Sequence, residues 1–99
     1  MKPKVMYHLV LLSFKRADKA DESLAALARL REEIPGMRSY TDGPYSSPEG
    51  LNRGFTHAFV MTFESAAARD NYLSHPEHER VKNAVLPFVE NVLAFDFEG

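Results

Sequence analysis

Nine consecutive residues, Asp70-Asn71-Tyr72-Leu73-Ser74-His75-Pro76-Glu77-His78, hold a phenol, two imidazoles and a proline. Proline fixes its own backbone angle and has no N–H to donate, so it suits the first turn of a helix. A helix is therefore predicted to start near Pro76, with His75 or Ser74 as its N-cap and His78 in its first turn. Tyr72 then lies at the end of the preceding helix, and the two side chains can face one cavity as a proton-transfer pair. With an unperturbed pKa of about 6.5, His78 is the expected base. Tyr72, at about 10, serves better as a hydrogen-bond donor to a carbonyl or a developing enolate. A structural use of the same residues also fits: Ser74 and Glu77 have capping-box spacing, and Tyr72 can be core. His75 beside Pro76 reads as a cap. His75 and His78 stand at i,i+3 without a third ligand, so no metal site is expected.

These residues need elements to position them. Residues 4–15 are rich in Val, Leu, Phe and Tyr and read as a strand. Leu24, Leu27, Leu30 or Arg31, and Ile34 recur at helical spacing over 19–34, with Asp18 as the expected N-cap and Pro35-Gly36 as the stop. A polar strand over 37–46 contains Gly43-Pro44 and suits a sheet edge. Residues 47–54 form a loop, 55–64 a third strand, and 65–74 a helix. The helix from Pro76 fades near Leu86-Pro87, and 91–98 form the last strand. The order β-α-β-β-α-β, with its second helix broken in two, is the ferredoxin-like arrangement of the α+β class. It has a four-stranded antiparallel sheet with helices on one face, in a single domain spanning 1–99.

Strand alternation divides the side chains between the two sheet faces. Met6, His8, Val10, Leu12 and Phe14 share one face with His57 and Phe59. Tyr7, Leu9 and Leu11 share the other with Val60, Leu93, Phe95 and Phe97. Two helices in a chain this short can cover only one face. The second apolar face needs another cover, and a two-fold homodimer through it is the economical solution. His8 and His57 fit either hydrogen-bonded core positions or a shared helix-side cavity. Arg29, Arg31, Glu32 and Glu33 read as a solvated helix face, and Arg53 as a solvated loop residue.

Composition removes several function classes. Twelve basic and fourteen acidic residues, interspersed, give a formal charge of −2, so neither nucleic acid nor an anionic membrane is an expected partner. With no cysteine among the 99 residues, disulfides, thiolate metal sites and cysteine nucleophiles are absent. The apolar run at 5–14 is interrupted by His8 and followed by no cleavage signature, so it reads as a strand; a cytoplasmic protein is expected.

The His-Leu-Val start at 8–10, Phe14-Lys15, Thr56-His57, Thr62-Phe63-Glu64, Tyr72 through His78, and Phe95-Asp96 together resemble the stress-responsive dimeric α/β-barrel (Dabb) family over nearly the whole chain. The resemblance implies a barrel closed by two subunits. One plant member closes a linear polyketide by aldol condensation, without metal or cofactor, through a Tyr and a His that match Tyr72 and His78. Its other pocket histidines match His8 and His57. Where that enzyme lines its alkyl pocket with aromatics, this chain has Ser23, Leu24, Leu27 and Ala28, and Val89 replaces a tryptophan, so its ligand differs. The expected site is therefore catalytic Tyr72 and His78 in a pocket with His8, His57, Leu24, Leu27, Phe59 and Val92, with no cofactor and a small apolar or β-keto ligand. Three functions fit: a homodimeric protein with a hydrophobic small-ligand pocket; a cofactor-free, cyclase-like lyase; and a dimeric-barrel monooxygenase.

Overall fold

In the computed structural model, which describes residues 4–99, four strands and three helices follow the expected order. Residues 1–3 of the expected 1–99 domain lie outside the described residues. Strand β1 is Met6–Phe14, α1 Ala20–Glu33, β2 Met37–Pro44, β3 His57–Phe63, α2 Ala66–Leu73, α3 Pro76–Val85 and β4 Val89–Glu98. The sheet is antiparallel in the order β2-β3-β1-β4, so β1 is central and β4 is an edge. This is the ferredoxin-like fold. Among the described residues no helix is long and apolar enough to cross a membrane.

Several element ends differ from the sequence-based boundaries, each for a local reason. Asp18 does not cap α1. It sits in a single 3-10 turn, Ala17–Lys19, bonded to the Arg16 guanidinium, and Lys19 occupies the cap position. Phe55 precedes β3 because its amide closes a turn on the Asn52 carbonyl. β4 begins at Val89 rather than residue 91, where Phe14 pairs with Val89 beyond an irregularity in β1. Helix α1 ends where expected, and Gly36 follows at φ +84°. A Cβ there would approach the Ala68 Cβ to 2.7 Å, so both the left-handed backbone and the space require glycine.

The helix side of the sheet forms the core. Met6, Val10 and Leu12 from β1 pack with Phe59, Met61 and Phe63 from β3 under Leu24, Leu27 and Leu30 of α1. Arg31 does not join them; exposed, it donates to the Arg38 carbonyl and ties α1 to β2. On the other face Tyr7, Leu9 and Leu11 are half-buried, while Leu93, Phe95 and Phe97 are exposed. Tyr7 stacks on Phe97 with ring centroids 4.8 Å apart, and Leu9 stands opposite Phe95. The protomer thus presents a continuous apolar sheet face.

Candidate active site

The α2–α3 junction is built from its own sequence. Ser65 caps α2, its Oγ accepting from the Ala68 amide at 3.1 Å. Tyr72 and Leu73 end that helix, and Ser74 is its C-cap rather than the start of the next. His75 caps α3: its Nδ1 accepts from the Glu77 amide at 3.0 Å, with Pro76 in the first turn. That role needs a lone pair on Nδ1 and commits His75 to structure.

His78 is held differently. Its Nδ1 lies 3.0 Å from the Leu73 carbonyl oxygen. A carbonyl only accepts, so Nδ1 carries the hydrogen and Nε2 keeps its lone pair. Burial lowers the His78 pKa below 6.5, opposed by the Leu73 bond and reinforced by Lys82. His78 is therefore a neutral base at pH 7. The Tyr72 ring centroid is 4.5 Å from that of His78. Tyr72 is 1% exposed, and burial pushes its phenol far above the ordinary value. It keeps its proton and acts as a donor. Its hydroxyl has no hydrogen-bond partner among the described residues. Tyr72 lines an internal space.

That space is a cavity of about 350 Å³ between the sheet and the helices, within the range of small-molecule sites. His8, Val10, Leu12 and Phe59 form its floor, Leu27 and Val85 its walls, and Tyr72 and His78 its end. It opens toward β4, where Val92 on the helix side is 53% exposed. His8 is fixed from behind. Its Nδ1 is 2.7 Å from Asp96 Oδ1, and Asp96 Oδ2 accepts from Arg69 at 2.7 Å. The Arg69–Asp96–His8 chain holds the imidazole edge-on to Tyr72, with centroids 5.9 Å apart.

Of the eight expected site residues, Tyr72, His78, His8, Leu27, Phe59 and Val92 surround this cavity, and two do not. Leu24 is core; its carbonyl accepts from Tyr40 of β2, on the sheet edge away from β4. His57 pairs with Leu12, four residues along β3 from the partner of His8, which is about 13 Å of strand. Its ring packs edge-on against Phe14, and it lines a second, smaller cavity with Tyr45 and Asn52. Sequence reasoning did not assign Asp96, Arg69 or Lys82. Asp96 shares the helix-side parity of Val92 and stands opposite His8, a pairing visible only once β1 and β4 are aligned. Among the described residues no group of three or more His, Asp or Glu is arranged to hold a metal ion.

Comparison with known proteins agrees with the fold. Residues 6–99 match the family model of the stress responsive A/B barrel domain. A stress-response A/B barrel domain-containing protein of Arabidopsis thaliana is 36% identical over 91 residues, covering 91% of this chain and 82% of the relative. Olivetolic acid cyclase of Cannabis sativa is 31% identical over 94 residues, covering 91% and 92% respectively. The crystal structure of a dimeric ferredoxin-like protein of unknown function from Jannaschia sp. CCS1 superposes with a TM-score of 0.84 at 30% identity, covering 96% of this chain and 99% of that one.

Proposed function

We propose, for a chain that belongs to the stress-responsive A/B barrel domain family, a homodimer that binds a small apolar carbonyl compound in each protomer and moves a proton on it. The observation that carries this reading is the unpartnered hydroxyl of buried Tyr72 beside a His78 whose Nδ1 is already engaged. A phenol in an apolar cavity with no protein partner has its hydrogen free to donate to a ligand there. One relative is named olivetolic acid cyclase, which supports an enzymatic reading.

In this mechanism the ligand carbonyl accepts from the Tyr72 hydroxyl. His78 Nε2 takes a proton from the adjacent carbon and becomes imidazolium. The electron pair moves to the carbonyl oxygen, where the Tyr72 hydrogen bond strengthens as charge develops. When the enolate carbon attacks a second carbonyl, the imidazolium returns its proton to the new alkoxide. A neutral imidazole of lowered pKa is a weak base, so the carbon must be activated by two carbonyls, as in a β-keto compound. The apolar walls keep water from quenching the enolate. His8, oriented by Asp96, stands edge-on to Tyr72 in the same cavity. Association through the face of Tyr7, Leu9, Leu11, Phe95 and Phe97 completes the molecule, with one domain per protomer.

A panel of β-keto acids and thioesters, assayed for turnover, tests the proposal. His78→Ala is expected to lower kcat by about 10²–10⁴-fold in a folded protein. Tyr72→Phe should lower it less and leave stability unchanged or slightly raised, because the hydroxyl it removes has no protein partner. Wild-type activity retained by a folded His78→Ala variant would overturn the mechanism. Binding without turnover in the wild type would put the noncatalytic ligand-binding reading in its place.

A further inference from the structure

Lys82 is the one side chain among the described residues that brings a formal charge to the lining of the large cavity. It stands four residues after His78 on α3, on the same helix face and about 6 Å further along the axis. Its side chain is 40% exposed, and Nζ lies 2.8 Å from Glu79 Oε1. Lysine lays its methylene stem against apolar surface and keeps its ammonium in water. Here Lys82 lines the cavity together with the exposed residues Leu73, Leu86 and Val92, and its ammonium is bonded to Glu79 just outside that lining. Among the described residues no carboxylate lines the cavity. Asp96 is engaged by His8 and Arg69. Glu79 is exposed, and a solvent-exposed i,i+3 pair of this kind is weak enough to exchange with a ligand anion.

We propose that the cavity selects an amphipathic anion, with an apolar chain inside and a carboxylate paired with Lys82 at the mouth. The inference rests on the cavity being the ligand site and narrows its ligand class to apolar carboxylic acids. Three features support it together: an apolar interior, a single half-exposed cation in its lining, and no carboxylate among the lining residues. An anion placed there meets attraction from Lys82 and repulsion from nothing else in the lining. A neutral ester of equal length can accept a hydrogen bond from Lys82 but lacks the charge attraction.

Octanoate and methyl octanoate are suitable probes, titrated into the full chain at low salt with the ring signals of His8 and His78 followed by NMR. Octanoate is expected to bind about tenfold more tightly than its ester, as one charge-assisted contact at a wet rim allows. Lys82→Met keeps an apolar stem and helix propensity but removes the charge. It should weaken octanoate by about tenfold and leave the ester unchanged, while Lys82→Arg should keep the preference. Equal binding of the two probes to the wild type, or a preference that survives Lys82→Met, would overturn the inference and leave the cavity as a neutral-ligand site. Failure of both probes to shift either histidine would overturn this inference together with the reading of the cavity as a ligand site.

Discussion

Replacing Phe95 by alanine probes the open sheet face directly. Phe95 is 59% exposed in the protomer. A phenylalanine presents about 200 Å², so about 120 Å² of its surface is available to be covered on association. At about 25 cal/mol per Å² this is worth about 3 kcal/mol per protomer. A two-fold interface contains each substitution twice, giving about 6 kcal/mol at full burial. Alanine keeps part of that area, and Leu9 and Phe97 beside it can close some of the gap. We expect half the loss, about 3 kcal/mol, which weakens the dimer about 100-fold. Sedimentation equilibrium from nanomolar to high micromolar protein reads the change. Far-UV circular dichroism should be unaltered, because this ring contributes little to the protomer core. Leu9→Asp should act more strongly, since it places a carboxylate without a partner at the centre of the face. A wild type that is monomeric at micromolar concentration, or a Phe95→Ala protein that associates within threefold of it, would refute the reasoning.

Other expected outcomes concern the site and its supports. Because burial holds the His78 pKa below 6.5, its NMR titration should have a midpoint under that value, and turnover should rise with pH and level off by neutrality. Between the folded and unfolded pKa values of His78 the unfolded chain binds more protons, so this group's contribution to stability is complete above about 6.5 and is lost as pH falls toward the folded value. Asp96→Asn breaks the charged bridge between His8 and Arg69; it should cost about 1–3 kcal/mol in thermal melts and change the tautomer signature of His8. Gly36→Ala should destabilise by about 1–3 kcal/mol through backbone strain and more through the contact with Ala68. Gly50→Ala, also at positive φ but in open space, should show the strain alone, so equal melts of the two variants would remove the packing argument.

The element order was legible because periods of two and of about 3.6 residues survive any local detail. The end of α1 was legible from Pro35-Gly36, and the start of α3 from His75-Pro76. Boundaries set by single hydrogen bonds were not: nothing local says that the Phe55 amide closes on Asn52, or that Asp18 turns to Arg16 instead of capping α1. The same division holds in the site. Tyr72 and His78 flank one helix junction, so their spacing alone brings them together. His8 and Asp96 are 88 residues apart and meet only through the β1–β4 register. His57 has the right parity but the wrong distance along its strand, and parity carries no information about distance. Leu24 and Leu27 share a helix face, yet only Leu27 lies toward the β4 side where the cavity opens.

Strand β1 joins the two proposed functions of the molecule. Its outward residues Tyr7, Leu9 and Leu11 form part of the apolar face, and the inward residues between them, His8, Val10 and Leu12, form the floor of the cavity. A slip of one residue would exchange the two sets, carrying His8 out of the site and a charged Asp96 partner into the wrong register. Pairing on both sides, to β3 and to β4, makes such a slip costly. Register thus fixes one half of the site, while the Leu73–His78 bond across the α2–α3 junction fixes the other. The helices bury Val10 and Leu12 but leave Val92 and Ala94 of β4 exposed. The cavity lies at that transition, where the helical layer stops short of the edge strand. Its mouth therefore follows from how far the helices cover the sheet, and its lining includes Val92 and Ala94 of β4 and Lys82 of α3.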